Sequence, residues 1–551
     1  RVNFVNPGSL TMIRLKTASA LTALAIASIA TNAGAAGFVT AGANMADGKN
    51  GYIYQSIFTT GETVGGYTPI GLMDGIGAYA LNKDTVRVLV NHEAANNRGT
   101  NYTLANGFSL AGSRISYFDV DKYARTIVGS GLAYDAIHDR SGNPVSAATQ
   151  LTFGAISRLC SAVNVEANAY GAGRGVVDRI FFSGEEAGNG TMFALDTATN
   201  KLHAVADMGY GSWENAAQVD TGTRDKVAFL LADDTNGSAM MMYVGTKSTA
   251  PGASFLERNG LVGGEIYAWK ADAAGVNSSA EFNGGNGTSN TGTWVKLTTK
   301  DVSKAGTAGY DAQGYALAAT MQAEADALGA FSFSRPEDVA TNVDGKTVAF
   351  ATTGSTFDGG ADTWGQVLTF ELAFEAHGAP TSSTATMIYN GNTDASHALR
   401  SPDNLDWADA DTIIVQEDRS ASWASVIGAN PQEASVLTLE LDGSLTTVAT
   451  INRTTSLGQV DVNPTDFGNW ESSGILDVST LFGYDAPGAL FIGDVQAHSV
   501  PLGNNGLVES SQLFFLSNAA VPEPASWAMM IAGFGLVGSA MRRRHLKAVT
   551  A

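Results

Sequence analysis

The chain reads as an all-β protein: a β-propeller of about six blades, with loop insertions and a short inserted helix. Three observations predict this. The first is a short grammar that recurs along the chain: an acidic motif, a gap, then an apolar strand ending in polar or acidic residues. Its fullest copy is FSFSRPEDVATNVDGKTVAFA, Phe331 to Ala351, where Arg335, Glu337 and Asp338 precede a turn and the strand Thr347 to Ala351. Asp74-Gly75 precedes VRVLV and Asn91-His92-Glu93, and Trp213-Glu214-Asn215 precedes VAFLLA and Asp233-Asp234. Asp403-Asn404 precedes TIIV and Gln416-Glu417-Asp418, and Trp470-Glu471 precedes ALFIG and Asp494. RIFFSG ends at Glu185-Glu186, with a less distinct opening motif. A strand-bearing unit repeated in this way signals a repeat architecture. The second observation is punctuation: short strands alternate with Gly, Asn and Asp turns, and the chain holds 63 glycines, as blades require. The third is size: 551 residues, 44% of them hydrophobic, suit a long single all-β domain.

Taken in order, Gly37 to Gly66 is rich in Gly, Asn and Thr and is expected to pack an edge. The first unit runs from Tyr67 to about Gly129, with VRVLV delivering Asn91-His92-Glu93 and an alternating outer strand at Arg114 to Asp119. Arg179 to Ser183, Thr191 to Asp196 and Leu202 to Asp207 form the second. The third holds Glu214, Val227 to Ala232, Met240 to Gly245 and Gly264 to Trp269. Ala273 to Thr293, dominated by Asn, Gly and Ser, reads as a surface loop. Ala305 to Leu328 carries the inserted helix, since Leu317, Met321, Ala325 and Leu328 fall near one face. In the fourth unit Gln366 to Leu372 alternates as a strand. The fifth includes a hairpin about Asp442-Gly443, and Gln512 to Ser517 closes the sixth.

In a propeller the first strand of every blade lines the central channel, so matching strand ends meet. Here they bring many carboxylates to one mouth, which is strongly repulsive unless cations sit among them. The formal net charge of -21 agrees with cation binding and excludes a nucleic-acid partner, which needs a basic face. Carboxylates and amide carbonyls suit calcium, and a thiolate beside carboxylates suits iron or zinc. The one cysteine, Cys160, has no internal disulfide partner. The chain has no EF-hand loop, CxxC, HExxH, GxSxG or Walker-type loop.

Both ends read as targeting segments. From Met12, Arg14 and Lys16 lead an apolar stretch, Ala18 to Ala30, and a small-residue site, Ala33-Gly34-Ala35; this is a secretory signal. At the other end Val521-Pro522-Glu523-Pro524 leads into an apolar run and Arg542-Arg543-Arg544. This tail resembles the PEP-CTERM sorting signal. The resemblance implies transient anchoring in the inner membrane, removal by an exosortase-type enzyme, and release to the envelope, surface or exterior. Residues 1–36, 37–520 and 521–551 are thus expected to be leader, propeller and sorting segment, with the protein a monomer.

Ser334-Arg335-Pro336-Glu337-Asp338, Ser401-Pro402-Asp403-Asn404, Gly184-Glu185-Glu186, Asn91-His92-Glu93 and Asp494-Val495-Gln496-Ala497-His498 together resemble the PhoX-type alkaline phosphatases, over roughly Gly66 to Leu516. The resemblance implies a propeller that binds calcium and iron and hydrolyses phosphomonoesters. It implies that Cys160 and Glu337 hold iron, that Arg335 holds phosphate oxygens by a bidentate contact, and that Glu185 and Glu186 hold calcium. Glu214 takes the place of a family His-Glu motif, with Trp213 where the His would be. Glu93, Asp403 and Asn404 join the acidic mouth as metal ligands, and Arg335 and Glu337 are the catalytic pair. The Cys160 passage departs from the family's compact Asn-Cys-x-Gly-Gly run. Two other functions fit the same residues: a non-catalytic calcium-binding propeller of the cell surface or matrix, and another metal-dependent propeller hydrolase such as a lactonase.

Overall fold

The computed structural model describes residues 37–282, 284–418 and 432–519. Among these, the strands build six antiparallel blades. Blade 1 comprises Met73–Ala80, Thr85–His92, Arg114–Asp121 and Ile127–Leu132. Blade 2 comprises Leu159–Val165, Ile180–Gly190, Met192–Asp196 and Lys201–Ala204. Blade 3 comprises Gly211–Val219, Lys226–Asp233, Met241–Thr246 and Glu265–Ala271. Blade 4 comprises Pro336–Thr341, Thr347–Thr352, Gln366–Phe374 and Pro380–Asn390. Blade 5 comprises Pro402–Trp407, Thr412–Glu417, Ser435–Glu440 and Leu445–Ile451. Blade 6 comprises Glu471–Asp477, Leu490–Pro501 and Glu509–Asn518, and takes its outer strand, Tyr52–Thr59, from the start of the domain. The ring is thus closed by pairing the start of the described domain with its end.

The innermost strands neighbour one another in cyclic order, blade 6 returning to blade 1. Each gap between adjacent blades holds its own hydrophobic cluster. The second strand of a blade is therefore buried on both faces, which is why VAFLLA and the Ile413-Ile414-Val415 run are continuously apolar rather than alternating; VRVLV keeps one half-buried polar residue, Arg87, paired with Asp119. Close approach of the inner strands shows at Gly75, where a Cβ would lie 2.4 Å from the backbone of Ser161 and of Ala162.

Two expectations are revised. The segment read as a surface loop, Ala273 to Thr293, ends in a strand, Ser289–Leu297, which pairs with Glu265–Ala271 of blade 3 and Pro380–Asn390 of blade 4. It also carries Phe282, buried in the core between these blades. The inserted helix is present but shorter than the periodic stretch: it spans Ala318–Leu328 and ends on Gly329 in the left-handed conformation, with Met321 and Ala325 buried.

Candidate metal centre at the propeller mouth

The acidic motifs are not preludes to the blades. They are the inner strands themselves, and each inner strand carries a β-bulge. In blade 1, Met73 to Ile76 stands against His92 to Val90, one extra residue on the inner strand. The same insertion recurs from Leu159 to Ala162, Trp213 to Ala216, Pro336 to Val339 and Pro402 to Leu405, and in blade 6 between Ser473 and Ile475. A bulge bends the strand and re-aims a side chain. The first bulge residues are Asp74, Cys160, Glu214, Glu337 and Asp403 in blades 1 to 5. Blade 6 has Gly474 at its bulge and supplies its carboxylate, Glu471, a few residues earlier.

A second repeated contact sets the height of this ring. An N–H at the mouth end of the second strand donates to a carbonyl at the start of the first: Glu93 to Leu72 at 2.8 Å, Glu186 to Arg158 at 2.8 Å, Asp234 to Ser212 at 2.9 Å, Thr353 to Arg335 at 3.2 Å and Asp418 to Ser401 at 3.0 Å. The bond carries Glu93, Glu186, Asp234 and Asp418 to the same rim. Two guanidiniums complete it. Arg335 lays Nε and Nη2 on Asp234, both at 2.8 Å, and its Nη2 lies 3.3 Å from Glu337. The approach to Arg335 is fixed by packing: Phe331 and Phe333 insert among Trp269, Phe350 and Phe370. Arg158 bonds Glu186 and reaches Glu93 at 2.7 Å.

These groups line a cavity of about 250 Å³ that holds eight carboxylates, one thiol, one imidazole and two guanidiniums. Four sets of potential ligand atoms each fall within 4.8 Å of one another: Asp74, Glu93 and Cys160; Cys160, Glu186 and Glu214; Glu214, Glu337 and Asp403; Asp403, Asp418 and Glu471. Shared members join them into one continuous row. A second cavity, of about 310 Å³, lies on the other side of the bulges among Ala162, Gln218, Val339 and Leu405 and has neither arginine.

The electrostatics are those of a site built for cations. Burial, then the Asp234 charge, pushes Glu214 up to about 8. Burial and neighbouring carboxylates raise Glu186, Glu337, Asp403 and Asp418 well above the usual range. Burial, then Asp74 and Glu214, raises the Cys160 thiol, which donates to Asp74 Oδ2 at 3.3 Å. Glu471 differs: burial would raise it, but hydrogen bonding and charge from His498 outweigh that and hold it low. His498 lies 3.4 Å from Glu471 and 2.8 Å from Glu509, and these contacts hold it protonated despite burial. Glu214 Oε1 and Asp403 Oδ1 are buried with no hydrogen-bond partner among the described residues, a costly state for a carboxylate unless a cation is bound. The donor set therefore fits metal ions: oxygen-only around Asp403, Asp418 and Glu471, as calcium prefers, and thiolate with carboxylates around Cys160, as iron accepts.

Of the residues expected from sequence, Arg335, Glu337, Cys160, Glu186, Glu214, Asp403 and Glu93 all meet at this mouth. Glu185 stands apart. Its two oxygens accept from the Ser157 and Thr191 N–H groups at 3.0 and 3.1 Å, because neighbouring strand residues point to opposite faces; it braces blade 2. Asn404 lies beneath the rim, donating to Ser161 Oγ at 3.0 Å, with its own Oδ1 unpaired. His92 is buried between Gly71 O and Ser116 Oγ, and burial lowers it to about 3. Arg158, Asp74, Asp234, Asp418, Glu471 and His498 were absent from the expected site. All but Arg158 belong to motifs or strand ends already visible in the repeat. Arg158 had its own signal: Arg158-Leu159-Cys160 has the spacing of Arg335-Pro336-Glu337.

Fold and site together define a six-bladed propeller with an acidic mouth flanked by arginines. The family model of alkaline phosphatase PhoX matches residues 147–474, and the chain belongs to that family. Among solved structures it is similar to Pseudomonas fluorescens PhoX in complex with vanadate, at 14% identity and a TM-score of 0.58, covering 89% of this chain and 99% of that one. Weaker likenesses include the Dos1 propeller (8% identity, TM-score 0.28, covering 84% and 95%) and the periplasmic gluconolactonase of Pseudomonas aeruginosa (12%, TM-score 0.22, covering 68% and 88%). No curated protein sequence matches the chain. The PEP-CTERM protein-sorting motif matches residues 520–544, so the protein is exported and associated with the cell envelope. That segment lies outside the described residues, among which no helix is long and apolar enough to cross a membrane.

Proposed function

We propose that this exported phosphatase hydrolyses phosphomonoesters at the acidic mouth, with calcium and iron held by the bulge carboxylates and Cys160. The observation that carries the reading is Arg335 set among clustered carboxylates whose oxygens, at Glu214 and Asp403, are buried and unpaired. Iron would be held by Cys160 with Glu186, Glu214 and Glu337, and calcium by Asp403, Asp418 and Glu471. The chemistry such ions supply when bound is Lewis-acid stabilisation of phosphoryl and leaving-group oxygens and a lowered pKa of water.

The protein's own part is positioning and charge. Asp234 fixes the Nε and Nη2 edge of Arg335, so the guanidinium is already oriented and its Nη1, which has no hydrogen-bond partner among the described residues, can take a phosphate oxygen. Such preorganisation costs nothing at the moment of reaction. Thr353 Oγ donates to Glu337 Oε1 at 2.5 Å, which holds that carboxylate beside Arg335 and steers its second oxygen toward the cation row. His498, protonated between Glu471 and Glu509, supplies a third positive charge on the blade 6 side. The C-terminal segment would anchor the chain transiently in the inner membrane until an exosortase-type enzyme removes it.

The test is hydrolysis of a phosphomonoester by purified protein supplied with calcium and iron. Arg335→Lys keeps the charge but loses the planar fork, and turnover should fall by about tenfold or more, roughly 1.4 kcal/mol in the barrier. An inactive wild type with both ions bound would leave a calcium-stabilised scaffold as the better account.

A further inference from the structure

Arg158 occupies in blade 2 the place Arg335 occupies in blade 4. Each directly precedes its inner strand, two residues before the first bulge residue, Cys160 or Glu337. Each has a positive φ, 47° and 60°, and each carbonyl accepts the N–H that closes its blade, from Glu186 and Thr353. Leu72 and Ser401 share this backbone conformation, so the strain belongs to the fold; what sets blades 2 and 4 apart is the guanidinium.

The side chains repeat as well. Arg335 spends Nε and Nη2 on Asp234 and touches Glu337 with Nη2; Arg158 spends Nε and Nη2 on Glu186 and touches Glu93 with Nη2. In both, Nη1 has no protein partner among the described residues. Both line the same cavity. The arginines differ in depth: the Arg335 side chain is 22% exposed and that of Arg158 is 45% exposed. Glu214 and Asp234 of blade 3 stand between their two blades, so the mouth presents two separate positive points, one deep and one at the rim, divided by negative charge.

We infer that Arg158 is a second anion-binding subsite, and that the preferred substrates are phosphomonoesters bearing a further acid group, a carboxylate or a second phosphate, away from the scissile one. This rests on the phosphatase reading: Arg335 takes the phosphate that is cleaved and Arg158 the distal anion. Were Arg158 only a counter-ion for Glu93 and Glu186, or a second hook on the same phosphate, it would not distinguish substrates by a distal charge.

Phosphonates test this without turnover. Methylphosphonate and a series of phosphonocarboxylates of increasing chain length would be titrated calorimetrically into cation-loaded wild type and Arg158→Gln. In the wild type the best-fitting phosphonocarboxylate should bind about tenfold tighter than methylphosphonate, and in Arg158→Gln that ratio should collapse towards one. Arg158→Lys, which keeps the charge without the fork, should retain part of it, and serves in place of Arg158→Gln should the latter lose its cations. A wild type with no preference for any member, or a preference that survives both substitutions, would overturn the subsite. A parallel hydrolysis assay separates the two readings: if the wild type cleaves phosphomonoesters but the ratio does not respond, only the subsite falls. If it cleaves none while the ratio responds, the catalytic reading falls and the subsite stands as a binding site.

Discussion

In blades 2 to 5 each bulge places two residues side by side and gives them opposite work. The first faces the mouth: Cys160, Glu214, Glu337 and Asp403 line the acidic cavity. The second turns away from the mouth towards another blade. Asn215 Nδ2 donates to Asp338 and, at 3.0 Å, to Val339 O. Asp338 Oδ2 accepts from Leu405 N at 3.1 Å, and Asn404 donates to Ser161 and Asp74. These bonds run from blade to blade and tie the ring. The first residues crowd like charge at the mouth, while the second residues are hydrogen-bonded to other blades, the adjacent one for Asn215 and Asp338 and across the channel for Asn404. One inserted residue per strand thus separates function from cohesion at adjacent positions, and substitutions at the two should part sharply.

The largest effect is expected at Glu337. Glu337→Gln removes a charged ligand but keeps an acceptor for Thr353. Turnover should drop by about 100-fold or more, roughly 2.7 kcal/mol, with loss of bound metal. The cation-free variant should melt no lower than cation-free wild type, since burial and like charges oppose this carboxylate in the folded state. A variant that keeps both activity and metal would break the division of labour on the mouth side. Next comes cation removal: saturating a site at about 100 times its Kd adds roughly 2.7 kcal/mol, so chelation of purified protein should lower its melting temperature and restored calcium should recover it. At the neighbouring position, Asp338→Ala deprives the Leu405 N–H and one Asn215 contact of their acceptor. Denaturant melts should show a loss of about 1–3 kcal/mol while cations per chain stay constant; loss of metal here would merge the two roles.

Much of the mouth was legible in the sequence because the repeat places its motifs in register and because strands buried on both faces leave continuous apolar runs. What the sequence hid follows from geometry. Glu185 and Glu186 are chemically alike, and only strand alternation decides that Glu186 reaches the rim while Glu185 turns to backbone donors. Ser289–Leu297 begins inside the stretch that reads as a loop because Ser, Asn and Thr fill its exposed and half-buried positions up to Thr293; its buried ones, Gly292, Trp294 and Leu297, are too few to show a period. Tyr52–Thr59 shows strand character, yet no periodicity says that its partner is Glu509–Asn518 at the far end of the domain. The Cys160 passage departs from the family pattern, and although Arg158-Leu159-Cys160 has the spacing of Arg335-Pro336-Glu337, it is the register of blade 2 against blade 4 that shows the two arginines to be equivalent.

The effect that is smallest per step of the measurement, one pH unit, sharpens the comparison on the side away from the mouth. Asp406 follows the blade 5 bulge, accepts from Asp477 N at 2.9 Å and lines the second cavity. Burial raises it to about 7, against partial relief from that hydrogen bond. A folded pKa above the ordinary value of 3.8 means the folded state binds the proton more tightly than the unfolded chain. Stability from this group is fully present below the unfolded value and is lost as pH rises towards 7, by up to about 1.4 kcal/mol per pH unit. Asp406→Asn cannot ionise, so the difference in stability between variant and wild type should move in the variant's favour from pH 5 to pH 7 and flatten above it. Mouth carboxylates should behave otherwise in cation-loaded protein, because bound cations favour their ionised form and stability falls on acidification instead. Measuring both slopes in one series of melts, with and without calcium, tests the division directly. A wild-type slope in the range pH 5 to 7 that Asp406→Asn leaves unchanged would place the titrating group elsewhere.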